Sequence, residues 1–245
     1  MSGGETGVLR RWRQRQDFQS GKLGWLINLF YFARKGLLAG LQDFFPRLAN
    51  TVLDVGRGRK PYRASIPAVT YLGLEINIPC SREMSKAEAF YDRRIFAFEN
   101  AGFDAVLCSQ VFERVFTPAG FLHEIDRVLR PGGCLLLAVP LVWDEHEQPH
   151  DFARYLSFGQ SAVKHQAGFV VDAQRKTNAD ARTLFQLLNA YLFKITRKRS
   201  RPINWLAMLA LMAPVNFMGI LAGKILPSNG DLYLDNIVLA RKRYS

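Results

Sequence analysis

Val52-Leu53-Asp54-Val55-Gly56-Arg57-Gly58-Arg59-Lys60 is the stretch on which the fold turns. An apolar, β-branched run passes directly into a glycine turn, the pattern of a buried strand feeding a loop whose missing side chains let backbone approach a ligand. A nucleotide-like ligand is the simplest occupant. The dinucleotide pattern needs Gly or Ala at its sixth position, but Gly56-x-Gly58-x-x is followed by Pro61, and no Gly-Lys-Ser/Thr forms a phosphate loop of the Walker type. Glu75, closing the next apolar run, stands at about the sequence distance where such folds set a carboxylate against ribose hydroxyls. An ordinary tight turn after a strand accounts for these two features equally well.

Outward from this stretch, short apolar runs alternate with helical patterns, as in βαβ units around a parallel sheet. Strands are expected at residues 51–55, 68–74, 87–90, 103–108, 134–139, 169–173 and 231–240. Phe121, Leu122, Ile125, Val128 and Leu129 share one face of a helix over 118–129, which Pro131-Gly132-Gly133 closes. The fold class is α/β: a Rossmann-like, seven-stranded, mostly parallel sheet with helices on both faces, an N-terminal helix and a hydrophobic helical insertion before the last strand. Residues 1–48 form a basic, amphipathic helical region, and 49–245 the domain, with the insertion at about 181–227.

The N-terminal region has Arg10, Arg11, Arg13 and Arg15 ahead of an apolar run, Leu23 to Ala33, without a small-residue cleavage site, so it does not read as a secretory signal. Trp25, Leu26, Leu29, Phe30, Phe32 and Ala33 recur near helical spacing and predict an amphipathic helix between Lys22 and Leu48. In the insertion, a helix over 181–194 is followed by Arg197-Lys198-Arg199-Ser200-Arg201 and an apolar stretch from Ile203 to Leu226. Pro214 and Asn216 interrupt that stretch, which predicts two short helices lying in a membrane interface, or a re-entrant pair; a packed helical subdomain or homodimer interface is the competing reading.

The 245 residues carry 33 Lys and Arg against 21 Asp and Glu, a net charge of +12, which favours an anionic partner. Cysteines stand only at 80, 108 and 134, too few and too spread for a disulfide framework, and no Cys/His cluster has metal-ligand spacing. No metal is expected, and a reducing cytoplasm fits best. The location expected is cytoplasmic, with peripheral attachment to the inner face of a membrane.

From Thr51 to Phe169 the sequence resembles the class I S-adenosylmethionine-dependent methyltransferases, particularly the methyltransferase type 11 group. The resemblance rests on Leu53-Asp54-Val55-Gly56-x-Gly58, Tyr71-Leu72-Gly73-Leu74-Glu75, Phe103-Asp104-Ala105-Val106-Leu107-Cys108 and Glu124-Ile125-x-Arg127-Val128-Leu129-Arg130-Pro131-Gly132-Gly133. It implies S-adenosylmethionine as cofactor, with its methionine end on the turn from Asp54 through Gly56 to Gly58, its ribose on Glu75 and its adenine near the third strand, beside Glu88 or Asp92. Ser109 and Gln110, just past the fourth strand, would line the same pocket. Arg57 stands where the family often has cysteine, Lys60 replaces the customary third glycine, and Arg114 takes the place of a histidine.

Methyl transfer is an in-line displacement in which alignment supplies much of the acceleration, so a general base is optional. For a hydroxyl acceptor the candidate bases are His146 and His150, in the loop Asp144 to Asp151; a solvated loop is the plainer reading of either, and Asp151 with Arg154 reads as a helix-start ion pair. The expected function is methyl transfer to a small-molecule, lipid-linked or glycan acceptor. The alternative is a methyltransferase fold with weakened or no turnover, kept as a binding or scaffold protein. RNA methylation ranks lower, and no nucleic-acid partner is predicted, because no nucleic-acid-binding module is recognisable.

Overall fold

The computed structural model describes residues 24–56, 60–78, 82, 85, 87–145, 148–197 and 200–244. Seven strands make one sheet: β1 (Asn50–Val55), β2 (Ala68–Ile76), β3 (Ala89–Tyr91), β4 (Phe103–Ser109), β5 (Leu129–Pro140), β6 (Phe169–Lys176) and β7 (Asp235–Lys242). Their order is β3-β2-β1-β4-β5-β7-β6. β1 pairs parallel with β2 and β4, β2 with β3, and β4 with β5, whereas β7 runs antiparallel between β5 and β6. The seven expected strands are all present, and the single reversed strand is the last one.

The chain divides into two compact units. The sheet unit comprises Gly40–Leu141, Glu145–Lys176 and Asp235–Ser245; the helical unit gathers residues up to Ala39, Val142–Asp144 and Thr177–Leu234. In the sheet unit, β1 and β4 are buried along nearly their whole length, as central parallel strands must be when both faces are covered. Leu53, Val55, Leu74, Val106, Leu135 and Leu137 pack with Phe121, Leu122, Ile125 and Val128 of the crossover helix (Pro118–Val128) in one core. Pro131-Gly132-Gly133, expected as a helix stop, lies inside β5, where the register slips between Phe103↔Leu129 and Ala105↔Cys134. Gly132 takes φ +76° there, and a Cβ on Gly133 would come 2.9 Å from the Arg130 carbonyl oxygen. Glycine therefore makes the irregularity.

The helical unit holds α1 (Gly24–Ile27) and α2, which spans Tyr31–Gln42 and so runs on into the sheet unit. In chain order, α3 and α4 are Pro118–Val128 and Ser157–Gln166 of the sheet unit; the helical unit then adds α5 (Arg182–Thr196), α6 (Arg201–Ala207) and α7 (Ala213–Ile225). The one amphipathic helix expected between Lys22 and Leu48 is broken at Asn28. That side chain accepts the Phe30 N–H through Oδ1 at 2.9 Å, while Asn216 Nδ2 donates to the carbonyls of Trp25 and Asn28 at 2.8 and 3.1 Å. An amide from far along the chain thus satisfies the carbonyls freed by the break.

The apolar stretch also differs from expectation. Met208–Met212 is a π turn joining α6 to α7, so Pro202–Ile225 is one helix of 24 residues and not two short ones. A proline within a helix lacks an N–H and clashes with the carbonyl four residues back. The wider π turn just before Pro214 shifts the hydrogen-bond register and accommodates both defects.

Candidate functional site

The order of the sheet reverses between β1 and β4, and in open α/β sheets the crevice beyond the carboxyl ends at such a point is where ligands bind. Val55 is in register with Leu74 of β2 and Cys108 of β4, so Gly56, Glu75 and Ser109 emerge on one edge. Gly56 has φ +69°, donates its N–H to the Leu74 carbonyl at 2.8 Å, and faces Val111 so closely that a Cβ would lie 2.2 Å from Cγ2. Both conformation and space require glycine. Gly58, with Arg57, lies outside the described residues, as does His146.

Two carboxylates are buried at this edge. Asp54 accepts the Tyr71 hydroxyl, and Glu75, at the end of β2, receives the Ile76 N–H at 3.1 Å. Across the turn stands Tyr62, whose phenol is pushed up to about 12 chiefly by burial, with the charges of Asp54 and Asp235 nearby. Gln110 takes the left-handed conformation at φ +57°; its N–H meets the Ala138 carbonyl at 2.9 Å, and Nε2 donates to Asp235 Oδ1 at 3.0 Å. The side chain is therefore fixed against the start of β7.

Glu88 and Asp92 have structural partners. Glu88 pairs with Lys60 at 2.6 Å through Oε1 and accepts the Gly73 N–H at 2.7 Å through Oε2, bridging the glycine loop to β2. Lys60 sits at φ +55°, so the backbone keeps a glycine-like conformation where the family customarily has glycine. Asp92 is exposed, and the N–H groups of Ile95 and Arg94 bonded to its carboxylate hold its pKa below the usual range.

His150 lies 3.4 Å through Nε2 from Arg93 Nη2, with its ring 6.0 Å from that of Phe152. Asp151 and Arg154 do form an ion pair, but both precede α4, which begins at Ser157, so the pair braces the loop and not a helix start. This loop is tied to the end of β4 by Glu113, whose carbonyl accepts the N–H groups of Phe152 and Ala153 at 2.9 and 3.2 Å. The Glu113 carboxyl is fully buried without a hydrogen-bond partner among the described residues, and burial raises its pKa to about 7. Sequence reasoning missed Glu113, Tyr71 and Asp235. Only Tyr71 stood in a recognised motif, and its pairing with Asp54 is a cross-strand contact that no local spacing announces.

This sheet order, with a glycine turn after β1 and a carboxylate closing β2, defines the Rossmann-like class to which class I S-adenosylmethionine-dependent methyltransferases belong. Residues 53–137 match the family described as a methyltransferase domain. No curated protein matches the chain. Among solved structures, the [4+2]-cyclase SpnF is similar with a TM-score of 0.54 and 18% identity, covering 94% of this chain and 97% of that one. A Mesorhizobium loti S-adenosylmethionine-dependent methyltransferase gives 0.51 and 12%, over 83% and 96%. Haemonchus contortus phosphoethanolamine N-methyltransferase 2, in complex with S-adenosylmethionine, gives 0.52 and 14%, over 95% of this chain and 60% of that one. At these identities the likeness is one of fold.

Proposed function

We propose that the chain catalyses S-adenosylmethionine-dependent methyl transfer to a small-molecule, lipid-linked or glycan acceptor. The observation that carries this reading is the meeting of the Gly56 turn, two buried carboxylates and the Ser109-Gln110 pair on one edge of the sheet, within or beside the span that matches the methyltransferase domain. One structural neighbour is a cyclase, so the scaffold serves other chemistry and the argument has to rest on the site.

The residues present suit such a cofactor. Asp54 and Glu75 provide negative charge at an edge where a cationic, hydroxyl-bearing ligand would lie, and carboxylates accept paired ribose hydroxyls. Gly56 lets the turn approach closely. When bound, S-adenosylmethionine supplies a methyl group on a sulfonium, open to in-line attack by an acceptor. The protein's part is then to align the acceptor, which can supply much of the rate without covalent chemistry. Where the acceptor is a hydroxyl, His150 is the candidate base, held in the loop that Glu113 ties to β4.

Calorimetry with S-adenosylmethionine and S-adenosylhomocysteine tests the site: one site is expected, and Glu75→Ala should weaken both ligands by on the order of 1–3 kcal/mol, through lost charge-assisted hydrogen bonds. Unchanged affinity in a folded variant would remove Glu75 from the site. Labelled methyl transfer into fractionated extract then identifies the acceptor class.

A further inference from the structure

Beside an apolar cluster of Tyr31, Phe32 and Leu234, two helices of the helical unit bury polar or small residues and expose large apolar ones. On α5, Thr183, Gln186 and Asn189 are fully buried, while Leu184, Leu188, Tyr191 and Ile195 are 43–62% exposed. At ~100° per residue these sets fall on opposite sides of the helix. α7 repeats the pattern, with Ala213, Asn216 and Gly219 inside and Phe217, Met218, Leu221 and Ile225 outside.

The amides of Gln186 and Asn216 are satisfied at both ends, while Asn189 Oδ1 has no hydrogen-bond partner among the described residues. Gln186 Oε1 accepts the N–H groups of Phe32 and Ala33, both at 3.1 Å, and Nε2 donates to the Leu29 carbonyl at 3.0 Å. Asn189 Nδ2 donates to Asn216 Oδ1 at 2.8 Å. A Cβ on Gly219 would come 2.7 Å from the Phe32 ring, so a small residue is needed at that contact. Amides and small residues between helices, with large apolar side chains facing out, are the arrangement of helices whose solvent is lipid. In water the opposite partition is favoured.

Two further observations choose the mode and the partner. Pro202–Ile225 is apolar enough and long enough to cross a bilayer. Yet the excursion returns to its origin: Leu234 N–H meets the Thr177 carbonyl at 3.0 Å, and Asn229 N–H meets that of Ala179 at 2.8 Å. One crossing cannot close this way, and α5, at 15 residues, falls short of the ~20 needed for a second. The helices therefore lie along a surface. The unit's described residues hold 7 Lys and Arg against 3 Asp and Glu, with Arg197 and Lys224 exposed beside the apolar faces. That charge complements anionic headgroups.

We propose that the helical unit docks in one leaflet of an anionic phospholipid bilayer, with the outer faces of α5, α6 and α7 at the acyl boundary. The full chain should float with vesicles of phosphatidylcholine and phosphatidylglycerol at least tenfold better than with phosphatidylcholine alone, and salt should reduce the difference. Leu188→Glu with Met218→Glu should lower flotation at least tenfold while the melting temperature and cofactor affinity hold. Should that variant not fold, quenching by brominated lipid supplies the test: Trp205, half-exposed on α6, should be quenched in the native chain, and Trp205→Phe should remove that component. Equal flotation with both vesicles overturns the anionic assignment. Absence of flotation and quenching, or a solution dimer that the double substitution splits without any vesicle binding, overturns the docking itself.

Discussion

At Gly56 a side chain meets two separate obstacles: a left-handed φ of +69° and a Val111 methyl 2.2 Å from where Cβ would stand. Gly56→Ala should cost ~1–2 kcal/mol for the conformation alone, and more for the contact. Adding Val111→Ala should recover the second part and leave the first, as urea titration would show. Glu113 lends itself to a pH measurement. Its carboxyl pKa is raised by burial from 4.5 to about 7, so between those values the folded state binds more protons than the unfolded one. Stability contributed by the neutral form is present below about pH 4.5 and is lost as pH rises through 7. Glu113→Gln should flatten that fall, on the order of 3 kcal/mol in native protein, in chemical denaturation series from pH 5 to 8. An unchanged slope would place the titrating group elsewhere.

Among the elements, α4 carries a lysine that its surroundings do not suit. Lys164 is fully buried, its ammonium has no hydrogen-bond partner among the described residues, and burial pulls its pKa from 10.5 down to about 7. Between those values the unfolded state binds more protons, so this group makes stability rise with pH across that window and imposes its full cost below 7. Lys164→Met should therefore stabilise the protein near neutrality by roughly 1–4 kcal/mol and remove the slope; a destabilised variant would show that the ammonium has a partner. Elements governed by periodicity were legible in the sequence: β1, β2, β4 and the crossover helix end within two residues of expectation, because continuous burial and an apolar stripe mark them. Elements altered by distant partners were not. Asn216 satisfies the carbonyls at the break in the N-terminal helix from 188 and 191 positions away, and Gln110 is fixed by Asp235 from 125. The π turn escaped because Pro214 looks the same in sequence whether it ends a helix or is absorbed by one. In the candidate site, Gly56 and Glu75 stood out by type and position, whereas Glu113 was hidden inside a short helical turn.

On the scale of the whole molecule, the candidate cofactor residues and the lipid-facing helices belong to different units. Asp54, Gly56, Tyr62, Glu75, Ser109, Gln110 and Asp235 all fall in the sheet unit, while the apolar helices fall in the other. The excursion after β6 begins and ends at a hydrogen-bonded pair, Thr177 and Leu234, and the adjoining strands are in register at Lys176↔Asn236. A three-residue Gly-Ser-Gly loop can therefore replace 178–234 and close β6 and β7 as a hairpin, at little entropic cost because the replacement is short. With residues before Gly40 also removed, the remaining chain should unfold cooperatively and bind S-adenosylhomocysteine within about tenfold of the full protein, since ~1.4 kcal/mol corresponds to that factor. It should no longer float with anionic vesicles. A shortened protein that folds yet binds no cofactor would show that the helical unit contributes directly to the cofactor site. Flotation retained at full strength would place the lipid-binding surface on the sheet unit instead.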